Sequence, residues 1–177
     1  MKSATERGAL SRRLRKPETV VLFVVAQQMF AIAADAVQEI RSTDSLAGAA
    51  TEIETPEVPK VAHYFERGRQ AYFVVSAGKH FGLPVSRPAL VLILRQRRAA
   101  VLVDRIERMT EISSLHALPL AFTGEEKHWY RCLAYVDDAV IPVVNPGGFL
   151  PADEVEALDH TMRAIEAQRV LEGAVPS

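Results

Sequence analysis

The chain has 177 residues, 49% of them hydrophobic, and a single cysteine. That length allows one sizeable core or two small interlocked ones, and one cysteine excludes an intramolecular disulfide. Net charge is −1, but residues 1–16 hold Lys2, Arg7, Arg12, Arg13, Arg15 and Lys16 against Glu6, a balance of +5 that leaves −6 on the remainder. An acidic body argues against nucleic-acid binding, which needs a cationic face. A β-barrel that binds nucleic acid or a small ligand stays as an alternative, although 7% aromatic content offers little for a stacking stripe.

Near the N-terminus Ser11–Lys16, with the apolar run Val20–Ala26 and the small residues Ala31–Ala34, imitates a twin-arginine export signal. Glu18 lies against the apolar run and Gln27-Gln28 interrupts it. No stretch reaches the roughly 20 apolar residues of a membrane span. The reading is a basic flexible tail over 1–18, no direct membrane insertion and a cytoplasmic protein.

Thr19–Ala26 is rich in Val and Phe, Met29–Ala34 resumes the apolar pattern, and together they predict a hairpin turning at Gln27-Gln28. Asp35–Arg41 reads as a short helical turn with Val37 and Ile40 on one face. Ser42–Pro59 has no period and reads as a loop. Gln70–Ser76 is a strand after an Arg67-Gly68 turn, and Pro84–Pro88 breaks the chain again. Ala89–Leu94 and Ala99–Val103 form a second hairpin around Arg95–Arg98. Trp129–Val136 and Ala139–Val144 form a third, with Asp137-Asp138 at its tip and Asn145–Gly148 at its end. Short strands so separated predict a barrel or sandwich. In the tail, Asp153 with Glu156 three residues on suggests a capping box, and Val155, Leu158, Met162 and Ile165 recur at helical spacing. That apolar face predicts a helix packed on its own barrel, with a partner-binding helix as the alternative.

No catalytic pattern emerges. The five histidines have no metal-ligand spacing and Cys132 has no CxxC companion. Cys132 lies in an apolar strand and reads as a buried, inert thiol. Ser76 and Ser113-Ser114 lack a nucleophile elbow. Glu125-Glu126 reads as a solvated loop and Gly147-Gly148 as a turn. No catalytic residue, cofactor or metal is expected, and the chain reads as a non-enzyme.

Several phrases, in order, resemble the CheW family of chemotaxis coupling proteins. Met29–Ile32 followed by Val37-Gln38-Glu39-Ile40 is similar to its opening hairpin and V-x-E-I segment. Arg67-Gly68 is similar to the R-G before a central strand, and Val101–Ile106 to the segment containing V-D. Pro119, Tyr130–Val136, Ile141–Asn145 and Phe149-Leu150 resemble the closing hairpin. The chain departs from the pattern around Arg67: Ala62 stands where glycine is usual, Phe65-Glu66 replace Asn-Leu, and Tyr72–Ser76 replace a segment with Pro-Val and Asp-Leu.

The resemblance implies a mainly β fold of two five-stranded, SH3-like barrels with a shared core. It divides the chain into the tail, a CheW-like domain over 19–150 and a C-terminal helix over 151–172. It implies an adaptor with two partners, the regulatory domain of a CheA-type histidine kinase and the cytoplasmic tip of methyl-accepting chemoreceptors. Val37, Glu39, Arg67, Gly68 and Asp104 are the partner-binding residues so implied. Their structural alternatives stand beside them: Val37 as core, Arg67 in an internal ion pair with Glu39, Gly68 in a positive-φ turn or a close backbone approach, and Asp104 capping a turn. A CheW-like paralogue serving gliding, pilus or developmental signalling is the alternative pathway.

Overall fold

The computed structural model describes residues 11–174, so the first ten residues of the expected tail lie outside the described residues. Strand β1 (Ser11–Val25) turns through Ala26 and Gln27, with φ of +47° and +67°, into β2 (Gln28–Ala33). Both central residues are left-handed, as a two-residue hairpin that matches strand twist demands. The strand begins eight residues before the predicted Thr19, which corrects the tail reading for residues 11–18. Ser11–Arg13 pair with Ser114–His116 of β9 (Arg105–His116). Ladder hydrogen bonds are backbone property, so this segment is a strand although Arg12, Arg13 and Lys16 stay exposed. The register shifts between Arg13 and Glu18, and Pro17, which has no N–H to donate, falls inside that irregularity.

The next segment corrects a second expectation. Ala34–Ala36 form a 3-10 turn, and Val37–Ser42 are strand β3, not a helical turn. Pairing with β7 (Leu90–Leu94) supplies partners for a β-branched stretch that a lone helical turn cannot. Within the expected loop 42–59 lie a 3-10 turn, Thr43–Leu46, and the two-residue β4 (Thr51–Glu52). Then follow β5 (Val61–Arg67), β6 (Gln70–Ser76) and α1 (Ala77–Phe81). Ser76 caps α1, its hydroxyl accepting from the Lys79 N–H. After β7 come β8 (Ala99–Val103), β9, α2 (Glu126–Trp129), β10 (Tyr130–Val136) and β11 (Ala139–Val144). Asp137 and Asp138, with φ of +49° and +64°, form the hairpin tip as predicted.

The strands make two units. A closed barrel runs β1-β2-β11-β10-β9, and a six-stranded sheet runs β3-β7-β8-β6-β5-β4. The chain leaves the barrel after β2, builds the whole second sheet, and returns with β9, which interlocks the two. Within β1, Val20–Val25 are buried on both faces, which explains their unbroken apolar run. Val20 and Leu22 pack inside the barrel with Ile112, Cys132 and Ile141. Val21, Phe23 and Val25 face a shared core with Phe73, Leu92 and Val101 of the second sheet. Burial raises the Cys132 thiol pKa, in keeping with the inert role expected for it. The barrel is tied across β1 and β10 by Arg131, which donates to both Glu18 oxygens at 2.5 and 2.8 Å.

Helix α3 (Ala152–Gly173) closes the fold. Its N-cap is Pro151, with no side-chain cap, so the expected capping box is not formed. Asp153 instead lies in the first turn, where a carboxylate favours the positive end of the helix dipole. Leu158 is fully buried in the shared core, with Val155 and Met162 packed against it. Arg98 clamps the helix by donating to both oxygens of Asp159 at 2.9 and 2.6 Å. Lys60 Nζ adds an ion pair to Glu154 Oε2 at 2.7 Å. The helix thus packs on its own domain, as its apolar spacing predicts.

His80 anchors α1 and is the one buried polar residue among the described residues. Its ring packs among Phe81, Trp129 and Phe149 at 4.8, 5.1 and 4.9 Å between centroids. Burial, with the Lys60 charge beside it, lowers its pKa from 6.5 to about 3. Between those values the unfolded chain binds the proton and the folded chain does not. Stability is therefore full above pH 6.5 and falls as the pH drops through that window, with a limiting slope of about 1.4 kcal/mol per pH unit. Denaturant unfolding at pH 7, 6 and 5 is expected to show the decline, and His80→Phe to flatten it. Glu18 and Glu39, whose pKa values are lowered below 4.5 by their arginines, add their own loss only in more acid solution.

Candidate partner-binding surface

Strand β3 is the edge of the second sheet, and edge strands carry backbone groups free to meet another chain. Glu39 lies on it between two guanidinium groups. Arg41 Nε donates to Glu39 Oε1 at 2.6 Å, and Arg67 Nη1 donates to Glu39 Oε2 at 3.2 Å. The Arg41 hydrogen bond, with the charges of Arg41 and Arg67 behind it, holds the Glu39 carboxyl below the usual range.

The Arg67–Glu39 contact also reports on the shape of the sheet. In strand order β3 and β5 stand four places apart, which in a flat sheet is about 19 Å at the usual spacing. Side chains from those strands touch at 3.2 Å, so the sheet curls until its ends approach. Side chains, not ladder hydrogen bonds, span the gap, and the β3 backbone edge is left open.

Gly68 opens the two-residue turn between β5 and β6 with φ of +65°. A Cβ built there meets nothing within 4 Å, so left-handed backbone and not close packing requires glycine. Arg67 thereby stands at the base of a tight turn, its guanidinium 6.0 Å from the Tyr72 ring centroid. Val37 is half-buried against the shared core and pairs with Leu94, so its side chain is structural.

Asp104 takes no part in this network. Its Oδ2 accepts the Ala26 N–H at 2.8 Å and its Oδ1 accepts the Ser86 hydroxyl at 2.7 Å. Its carboxylate therefore ties the β1–β2 turn to the loop before β7, the turn-capping role weighed as its alternative.

Three contributors escape the sequence reading. Arg41 holds Glu39 more closely than Arg67 does, Tyr72 underlies Arg67, and Ile40 is 42% exposed on the edge strand. The i, i+2 spacing of Glu39 and Arg41 is the available signal, and it appears only once the segment is read as a strand. Among the described residues no cluster of potential metal ligands exists, and no helix is long and apolar enough to cross a membrane.

The family model of the CheW-like domain matches residues 19–154. No curated protein matches. Among solved structures, the crystal structure of the scaffolding protein TtCheW from Thermoanaerobacter tengcongensis is similar in fold, with a TM-score of 0.60 at 18% identity, over 73% of this chain and 90% of that one. An interlocked pair of β units and a match from β1 into α3 converge: the chain belongs to the CheW-like domain family, and that membership supports a scaffold or adaptor role in chemosensory signalling.

Proposed function

We propose that this protein couples methyl-accepting chemoreceptors to a CheA-type histidine kinase, meeting partners through the surface around Arg67. The observation that carries this reading is the Arg67–Glu39–Arg41 network on an open edge strand. Two guanidinium groups share one carboxylate, and the Arg67 side chain is 34% exposed. Arg67 spends one donor on Glu39 and keeps others for a partner carboxylate or carbonyl. Ile40 is exposed on the other face of the same edge strand. Val37 and Gly68 support the surface from behind, and Asp104 holds the adjoining loops.

Arg67→Glu tests the reading. It sets two carboxylates side by side on an exposed edge, so the fold is expected to persist in circular dichroism and thermal melting. Affinity for the kinase regulatory domain or the receptor tip is expected to fall at least about tenfold in a pull-down or calorimetric titration. Wild-type affinity for both partners would sink the proposal.

One observation favours the second reading, a paralogue serving gliding, pilus or developmental signalling. Of the two residues that replace the family's usual pair before Arg67, Phe65 is buried and stacks on Tyr72 at 5.6 Å, whereas Glu66 is exposed. The packing absorbs the first change, and the second presents a new charge beside Arg67. Co-purification from the host, with identification of the receptor and kinase captured, separates the two pathways.

A further inference from the structure

Glu39 is shared between two arginines, and the sharing decides how much of Arg67 is left over. Glu39 and Arg41 pair with Ile93 and Val91 of β7, so their side chains leave the same face of β3 about 7 Å apart. Arg41 reaches Oε1 through Nε at 2.6 Å, and Arg67 reaches Oε2 through Nη1 at 3.2 Å. Each carboxylate oxygen thus serves a different guanidinium, and Arg67 is held by one donor. Two other carboxylates of the chain meet one arginine each, and both are gripped by the full fork. Arg98 holds Asp159 at 2.9 and 2.6 Å, and Arg131 holds Glu18 at 2.5 and 2.8 Å. That fork is the strong geometry for a guanidinium on an unshared carboxylate. Arg67 lacks it because Arg41 occupies the second oxygen.

We propose that Arg41 is a positioning residue of the partner surface: by occupying one Glu39 oxygen it keeps Arg67 singly bound, with the remaining N–H donors of Arg67 turned outward to a partner. This rests on the coupling role given to Arg67 above. Arg41 meets Glu39 from within its own strand, so little extra ordering is needed to form the contact. Arg67 comes from the far end of β5, steadied by the Tyr72 ring 6.0 Å from its guanidinium. The local pair therefore holds Glu39 whether or not a partner draws on Arg67. Without Arg41, both Glu39 oxygens open to Arg67, and its fork closes onto them. Fewer donors then face outward. The Arg41, Glu39 and Arg67 side chains are 43%, 34% and 34% exposed, so solvent screens the network and the effect is modest, about threefold.

Two measurements keep the role of Arg41 separate from that of Arg67. In the chain alone, NMR follows exchange of the Arg67 guanidinium protons with water. Arg41→Ala is expected to slow it about threefold, as the fork closes on Glu39. Adding Arg41→Ala to Glu39→Ala is expected to change nothing. Calorimetry then uses the kinase regulatory domain and receptor tip identified by co-purification. Arg41→Ala is expected to bind about threefold more weakly whichever partner Arg67→Glu loses, again with no further effect in the Glu39→Ala background. An unchanged Arg67 exchange in Arg41→Ala overturns the inference. So does wild-type affinity of Arg41→Ala for a partner that Arg67→Glu loses, and in both cases the coupling role of Arg67 stands. Equal weakening by Arg41→Ala in the Glu39→Ala background means that Arg41 touches the partner itself, which overturns the positioning role. Wild-type affinity of Arg67→Glu for both partners overturns the coupling reading and this inference with it.

Discussion

Gly148→Ala is expected to lower stability by about 3 kcal/mol, near the top of the range for overpacking. A Cβ at this position would lie 2.2 Å from the His128 carbonyl oxygen and 3.2 Å from the Trp129 Cα. Those atoms are backbone and have no rotamer to retreat into. The 3-10 turn Pro146–Gly148 would have to part from α2, where the Asn145 N–H donates to Trp129 O at 2.8 Å and the Asn145 amide donates to His128 O at 3.0 Å. Gly147→Ala provides the contrast. A Cβ there would meet only the Arg97 guanidinium, at 2.9 to 3.0 Å, and that flexible end of a side chain can swing aside. Urea unfolding of both variants, followed by Trp129 emission, is expected to show a large shift for Gly148→Ala and a small one for Gly147→Ala. Equal shifts would remove the close-approach argument.

Phe73→Ala is expected to cost about 3–5 kcal/mol, the range for deleting a buried aromatic ring. Phe73 is fully buried in the core that both units share. The Arg98 guanidinium lies 5.2 Å from its ring centroid, and the same arginine clamps Asp159 of α3. Removing the ring leaves a cavity at the junction of sheet and helix and deprives Arg98 of its support. The loss is expected to be cooperative, with barrel and sheet unfolding in one transition, because β1 carries residues of both cores. A melt in which the two units separate would show that the shared core does not couple them.

Much of this was legible beforehand. Gln70–Ser76 is β6 to the residue, and the hairpins around Arg95–Arg98 and Asp137-Asp138 stand where β-branched runs and polar turns place them. The packed face of α3 follows from Val155, Leu158 and Met162. Strand β9 was not legible: Arg105, Glu107, Arg108 and Glu111 interrupt any apolar alternation. It is a strand because β1 pairs along its length, and a partner almost a hundred residues away leaves no local mark. Residues 11–18 escaped for the same reason. Of the candidate surface, Arg67, Gly68 and Glu39 were marked by resemblance, but Arg41 and Ile40 were hidden by a helical reading of the segment that carries them.

The CheW-like surface that resemblance marked thus divides. Residue types by themselves determined that the apolar β-branched runs are strands and that the tail helix has one apolar face. These are local matters of side-chain shape, period and chemistry. Only the tertiary structure decided that Arg67 meets Glu39 across a curled sheet, that Asp104 accepts from both the Ala26 N–H and the Ser86 hydroxyl, and that His80 is neutral beneath Lys60. Each depends on groups brought together from distant parts of the chain, where burial and the neighbouring charge set what a side chain does.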